Sequence, residues 1–323
     1  MGGGGERHDE RSEVHPVILA FKNQPLEIWK DNVQLRDGYA KVTCESDLPI
    51  YDVQDDRFRF FPTATEDYSI TIRGAGYEKT STIRVIEPMT GGEAGKSLAI
   101  IGDSGAGAGD GIGFPKITKD YLGSPLTLLG TRGTAPYKHD GDPGASYEIW
   151  RHTYPRSVLL SAADTIDVAG YYTAIGGTPD AWLWTCGTNK VGNSTFELLD
   201  ATIDAEHDDL EDLIAAIKAV TPASKHLIAT AWPGNMRNQC WLDVYGYPRW
   251  DGKRRLHRYA EKTDTRFSGR TDEGIHVVRT SIQIDTYNGY PAEDPYHFVG
   301  LITGGHGQAA RAIAPAVKYA LWP

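Results

Sequence analysis

Five short apolar runs constrain this chain more than anything else in it: Ser97 to Gly102, Leu126 to Gly130, Ala181 to Cys186, His226 to Ala231 and Ile275 to Arg279. A strand with water on one face alternates apolar and polar side chains. These runs are nearly continuous, as a parallel sheet covered on both faces requires. Between Phe196 and Val220 the apolar residues Leu210, Leu213, Ile214, Ile217 and Val220 recur at steps of three and four beside an acidic face, which predicts a helix. A last helix is expected over about Gln308 to Leu321. Strands alternating with helices imply a three-layer α/β/α domain with a five-stranded parallel sheet, whose ligands sit at the carboxyl ends of the strands. Chemistry is therefore sought just after each strand.

The preceding part reads differently. Val17 to Phe21, Leu26 to Lys30, Tyr39 to Glu45, Arg57 to Phe61, Asp67 to Arg73 and Thr80 to Ile86 are short β-rich segments, and Asp67 to Arg73 alternates apolar with polar residues. Turn signals at Asp37-Gly38 and Gly74-Ala-Gly76 fall where a small all-β sandwich needs them. The expected organisation is a flexible leader over 1–16, a β-sandwich domain over 17–87, a Pro- and Gly-punctuated linker over 88–95, and the α/β domain over 96–323.

Composition narrows the partners. The 33 Lys and Arg against 43 Asp and Glu leave a net charge of −10, which gives no general attraction to nucleic acid or to an anionic membrane surface. No apolar run approaches the ~18 residues of a membrane-spanning helix, and the amino end lacks the apolar core of a secretory signal, so the chain reads as soluble. Cys44, Cys186 and Cys240 show no C-x-x-C spacing, which leaves one disulfide open and suggests no cysteine metal site. H-E-x-x-H is absent, and Asp208 and Asp209 read as a solvated helix face. No metal and no cofactor is expected.

The first apolar run ends in Gly102-Asp103-Ser104-Gly105 and a glycine-rich stretch to Gly113. A serine delivered by a strand to a small-residue turn that opens a helix suits a nucleophile: its hydroxyl is exposed and backbone amides face an incoming oxyanion. The competing reading is a serine that caps a helix. Two nucleotide-binding readings fail on the residues. G-x-G-x-x-G would need glycine at Asp110 or Ile112. The near-match to a phosphate loop at Thr90 to Ser97 leads into a strand where a helix is required.

Further along stand Gly141-Asp-Pro-Gly144-Ala-Ser146, then Gly187-Thr-Asn189 after the third run, and Asp294-Pro-Tyr-His297 near the carboxyl end. In this order, with Gly102-Asp103-Ser104, they resemble the four signature blocks of the SGNH hydrolases, also called GDSL esterases. The resemblance spans roughly Lys96 to Pro323. It implies a serine esterase in which Ser104 attacks an ester carbonyl, His297 moves the proton and Asp294 holds the other ring nitrogen. It also implies an oxyanion hole made by the Ser104 and Gly144 amides and the Asn189 side chain. Lys190 stands where many members carry aspartate, Gly105 where leucine is common, and Phe298 where proline usually follows the histidine. Gly305-His-Gly-Gln308 matches the family's last-helix start about three residues late, which makes His306 a rival base. His207 and His226 read as solvated or structural.

A long stretch from Trp232 to Tyr259 carries Trp232, Trp241, Tyr245, Tyr247 and Trp250 among basic residues. As an aromatic loop it would line the substrate site, with Trp232, Trp241 and Trp250 stacking on sugar rings; alternatively the rings pack the loop against its own domain. The expected substrate is a short acyl ester, an acetyl group on a small molecule or polysaccharide above all, as in relatives that carry an accessory β domain. The alternatives are a thioesterase or lipase-like enzyme of the same fold, and a carbohydrate-binding protein whose hydrolase site has decayed.

Overall fold

Two kinds of sheet divide the structure, a computed structural model that describes residues 16–33, 42–49, 51–74, 77–107, 113–291 and 304–323. Toward the amino end run β1 (Val17–Phe21), β2 (Leu26–Trp29), the short helix α1 (Lys30–Val33), β3 (Thr43–Ser46), β4 (Tyr51–Val53), β5 (Arg57–Phe60), β6 (Asp67–Gly74) and β7 (Tyr77–Ile86). They form one sheet in the order β1-β7-β6-β3 and another in the order β2-β5-β4. Alternation works as expected along β6, where Tyr68, Ile70 and Ile72 are buried between exposed Asp67 and Ser69. Ile18 and Ile70 of the first sheet share an apolar cluster with Ile28, Phe58 and Phe60 of the second, so the two sheets stack as a small sandwich. Ile282, from far along the chain, enters the same cluster.

Sequence reading missed one local feature here. β1 pairs parallel with β7, from Val17 opposite Thr82 to Phe21 opposite Ile86, which no turn signal announces. Of the segment expected from Tyr39, the described residues form a strand over Thr43–Ser46, while its first residues, the Asp37-Gly38 turn, the Ala75-Gly76 end of the second turn and the leader up to residue 15 lie outside the described residues.

The later elements are β8 (Lys96–Gly102), α2 (Ser104–Gly107), α3 (Phe114–Leu122), β9 (Leu126–Leu129), β10 (Asp140–Gly141), α4 (Tyr147–His152), α5 (Val168–Ile175), β11 (Ala181–Thr185), α6 (Thr188–Gly192), α7 (Leu199–Val220), β12 (Lys225–Ala229), α8 (Asn238–Tyr245), α9 (Arg249–Phe267), β13 (Ile275–Val278) and α10 (Gly305–Leu321). Every expected apolar run is a strand, and all pair in parallel. β11 covers one edge of β8, while β9 and then the two-residue β10 line the other. Successive side chains of β8 go to opposite faces: Leu98 and Ile100 pack with α3 and α10, Ala99 and Ile101 with α4, α7 and α9. These are the three layers. The chain reverses its direction of winding beside β8, and the crevice at such a switch point is where an open α/β sheet binds ligands.

The stretch expected as an aromatic loop is mostly the two helices α8 and α9. Cationic residues of α9 climb along the acidic face of α7 in steps of four: Arg258 on Asp200, Lys262 on Asp204, Arg266 on Asp208. Asp208 is thus paired across helices and Asp209 pairs with His152, so the face read as merely solvated is a helix–helix seam. All three cysteines are buried and free, so the disulfide left open by the sequence is not formed. Among the described residues no helix is long and apolar enough to cross a membrane, and no group of three His, Cys, Asp or Glu is placed to hold a metal ion.

Candidate active site

Ser104 opens α2 directly after β8, at the carboxyl edge of the sheet beside the switch point. The turn is set by its neighbour. Asp103, 3% exposed, accepts the Gly105 N–H on Oδ1 at 2.9 Å, the local bond by which an aspartate fixes the backbone two residues on. Its carbonyl accepts the Gly107 N–H at 3.0 Å. Ser104 itself is partly exposed, whereas Asp103, Gly105 and Ala106 are buried, so the serine hydroxyl is the side chain of this turn that solvent reaches. Ala108 to Ile112, within the glycine-rich stretch, lie outside the described residues.

Three of the four sequence blocks converge on this turn. The Asn189 side-chain amide, at the start of α6 just past β11, donates to Asp103 Oδ2 at 3.4 Å and to the Ala145 carbonyl at 3.2 Å. One amide group therefore ties the Ser104 turn to the Gly144 turn, although the three blocks come from separate stretches of chain. Gly144 has φ +75°, a left-handed conformation that a residue with a Cβ adopts only with strain. Its turn is held on the other side by charge: Asp142 takes Arg132 at 2.7 Å and Arg156 at 2.6 Å, and Arg156 also donates to the Pro143 carbonyl at 2.8 Å. Burial alone would raise the Asp142 carboxyl, but these guanidinium hydrogen bonds outweigh it and hold it below the usual carboxylate range. Lys190, the departure noted in the sequence, reaches across to Glu148 of α4.

The fourth block is another matter. Asp294, His297 and Phe298 lie outside the described residues. The chain leading toward them is anchored: Asn235 donates to the Pro291 carbonyl at 2.6 Å, and the Tyr290 hydroxyl accepts the Gly234 N–H at 3.1 Å. His306, 4% exposed in the first turn of α10, accepts the Phe114 N–H on Nδ1 at 3.3 Å. A neutral imidazole with Nδ1 so occupied carries its proton on Nε2, and there it is a donor. His207 and His226 are structural. Burial pushes both down to about 3, and each bonds a neighbouring hydroxyl, Thr263 and Ser224 respectively.

The aromatic residues divide. Trp241 is 1% exposed, donates its indole N–H to the Asn235 carbonyl at 2.6 Å, and packs against Tyr245 and Tyr247. It offers no face to a sugar ring, which corrects that expectation. Its packing also explains a glycine inside α9: a Cβ on Gly252 would meet the indole at 2.1 Å. Trp232 is also buried but lies against the Ser104 turn, its Nε1 3.2 Å from where a Cβ on Gly105 would stand, with the Phe114 ring 5.6 Å away. It shapes the wall behind Ser104 and has no exposed face for stacking. Trp250 is partly exposed, under the Arg249 guanidinium at 4.1 Å.

Arg156 and Glu206, at this end of the sheet, escaped the sequence reading, and Asp103 was read only as part of the serine block, without a role of its own. Asp103 was legible as an aspartate two residues before a glycine in a turn. Glu206 has a signal of its own, an acidic residue standing at helical spacing between Ile203 and Leu210 on the buried stripe of α7.

No protein-family model matches the sequence, and no curated protein matches it. Solved structures that it resembles include an acetyl esterase mutant with acetate ion (15% identity, 69% of this chain and 97% of that one, TM-score 0.44). Others are a family 3 carbohydrate esterase of Clostridium thermocellum (16%, 68% and 92%, TM-score 0.43) and a carbohydrate acetylesterase family member of Sinorhizobium meliloti (14%, 70% and 99%, TM-score 0.43). At such identities and scores the likeness carries no weight for the chemistry, which stands on the residues.

Proposed function

We propose that this chain is a serine esterase of the SGNH type. The observation that carries the reading is the Asn189 amide bridging Asp103 and Ala145, because it brings the serine, glycine and asparagine blocks to one point at the sheet's carboxyl edge. In this reading Ser104 Oγ attacks the ester carbonyl while its proton passes to His297. The carbonyl electrons move onto oxygen, where the Ser104 and Gly144 amides donate to the developing charge and Asn189 Nδ2 turns toward it the N–H that otherwise makes the long 3.4 Å bond to Asp103 Oδ2. Collapse expels the alcohol, protonated by His297. Water, deprotonated by the same imidazole, then releases the acid and restores the serine. Asp294 holds the ring. The His306 ring, with Nδ1 engaged by Phe114, supports His297 as the base.

The favoured substrate is a short acyl ester, with acetyl on carbohydrate first. Trp232 and Phe114 fill the space behind the nucleophile turn, which suits a small acyl group better than a long chain. The partly exposed Trp250 with its guanidinium is the remaining sugar platform among the three tryptophans named. Turnover of p-nitrophenyl acetate by wild type, and its loss in Ser104→Ala with the fold intact, tests the enzyme reading; turnover surviving within tenfold sinks it. Trp250→Ala should weaken release of acetate from an acetylated polysaccharide more than hydrolysis of p-nitrophenyl acetate. Equal effects, or a preference for decanoyl esters, would remove the carbohydrate assignment and leave the esterase.

A further inference from the structure

The first turn of a helix leaves its amides without internal partners. In α4 each of them is accounted for. Ser146 Oγ accepts the Ile149 N–H at 3.3 Å and its carbonyl the Trp150 N–H at 3.2 Å. The first two amides go elsewhere: Glu206, reaching over from α7, accepts the Tyr147 N–H on Oε2 at 2.8 Å and the Glu148 N–H on Oε1 at 3.4 Å. Glu206 is 1% exposed. A carboxylate sunk into the interior costs stability unless hydrogen bonds satisfy it, and here the two amides do so. What it holds begins three residues after Gly144, and the intervening Ala145 carbonyl is the one that Asn189 bonds.

We propose that Glu206 is a positioning residue that fixes the Gly144 turn against Ser104 and Asn189 by gripping the start of α4 with both carboxylate oxygens. The proposal rests on Gly144 being an oxyanion donor. The charged carboxylate offers a strong acceptor to each amide; protonation turns one oxygen into a hydroxyl, a much weaker acceptor, and slackens the grip. Burial raises the Glu206 carboxyl to about 7, opposed by the two amides. The groups facing it are Tyr147 of α4, Lys190 of α6, Tyr259 of α9, Cys186 after β11 and Asp209 on its own helix. Of these, Asp209 pushes it up and Lys190 pulls it down. The site thus gains a second ionisation, beside that of the histidine base, which must be in its deprotonated form for full activity.

Glu206→Gln keeps the shape and removes the titration. It should lower kcat by about tenfold above pH 8 with KM within about twofold, the pattern of a group that acts on the transition state alone. The ratio of wild-type to E206Q kcat/KM cancels the histidine and should fall toward one on acidification, with its midpoint near 7. Ser146→Ala, which loses an uncharged cap on the same helix, should give a ratio to wild type that does not change with pH. A ratio for E206Q that is flat with pH would make Glu206 merely structural and overturn the proposal.

A second readout needs no activity. The amide ¹⁵N–¹H signals of Gly144 and Tyr147 should titrate together near pH 7 in the wild-type protein and in S146A. Titration of Tyr147 without Gly144 would overturn the proposal even in an active enzyme. If no ester is hydrolysed at all, the esterase reading fails while the coupled titration still decides whether Glu206 governs the turn. Should E206Q not fold, the wild-type titration decides alone.

Discussion

On one side of Ser104 the protein is polar and tied together; on the other it is aromatic and packed. Asp103, Asn189, Asp142, Arg132, Arg156 and Glu206 form a lattice of hydrogen bonds around the Gly144 turn, in which several backbone carbonyls and amides have a side-chain partner. Across the turn, Trp232, Phe114 and Tyr290 fill space, and Trp241 does the same between α8 and α9 on the other face of the sheet. Hydrogen-bonded lattices fix direction, which is what stabilising a developing charge demands. Packed rings fix volume, which bears on stability and on the size of group admitted. The difference predicts that substitutions on the polar side act on kcat and those on the aromatic side on folding.

Trp241→Ala should show the largest effect. It removes a fully buried indole from between α8 and α9 and should cost about 3–5 kcal/mol of stability by chemical denaturation. In protein that remains folded, kcat for p-nitrophenyl acetate should stay within about threefold of wild type, because the ring serves volume and not charge. A stable variant with lost kcat would reverse the assignment of the two sides. Asn189→Ala should do the opposite. Loss of an oxyanion donor lowers kcat by roughly 10² to 10³ with little change in KM, and unfolding should move by about 1 kcal/mol. A change confined to KM would make Asn189 a substrate-binding residue and remove the sharpest difference between the sides.

The comparison also has a lower bound. Lys190→Ala breaks an ion pair whose partners are both exposed, at 42% and 49%, and such pairs are worth about 0–1 kcal/mol. Stability and kcat should both stay near wild type above pH 8, where Glu206 is expected to be charged with or without the Lys190 ammonium beside it. A loss of tenfold or more in kcat would show that the charge at this position, and not only the neighbouring amide, serves the site.

The aromatic and polar sides were not equally legible. Burial on both faces forces continuous apolar runs, so the five strands and the serine turn at the end of the first could be read directly. Asn189 and Gly144 were singled out through the resemblance of their blocks to the SGNH signature, each alone reading as a turn residue. Trp241 was misjudged because composition cannot distinguish a ring that faces a ligand from one that faces a helix; Gly252 and Gly234, at the close approaches, record the contact. α9 was missed for a related reason. Its Arg and Lys look like solvent-facing charge until the acidic row of α7 is set beside them. Glu206 is the reverse case, a polar residue on an apolar stripe, whose meaning depends on which helix start it meets.

The central claim is that Ser104 is the nucleophile at the meeting point of these two sides, and a fluorophosphonate puts it to the most direct test. Intact-protein mass spectrometry should show a single adduct, peptide mapping should place it on Ser104, and esterase activity should fall in proportion to labelling. Ser104→Ala should remain unlabelled at the same concentration. An adduct on another serine with activity lost in step, or full labelling of Ser104 with turnover intact, would contradict the account.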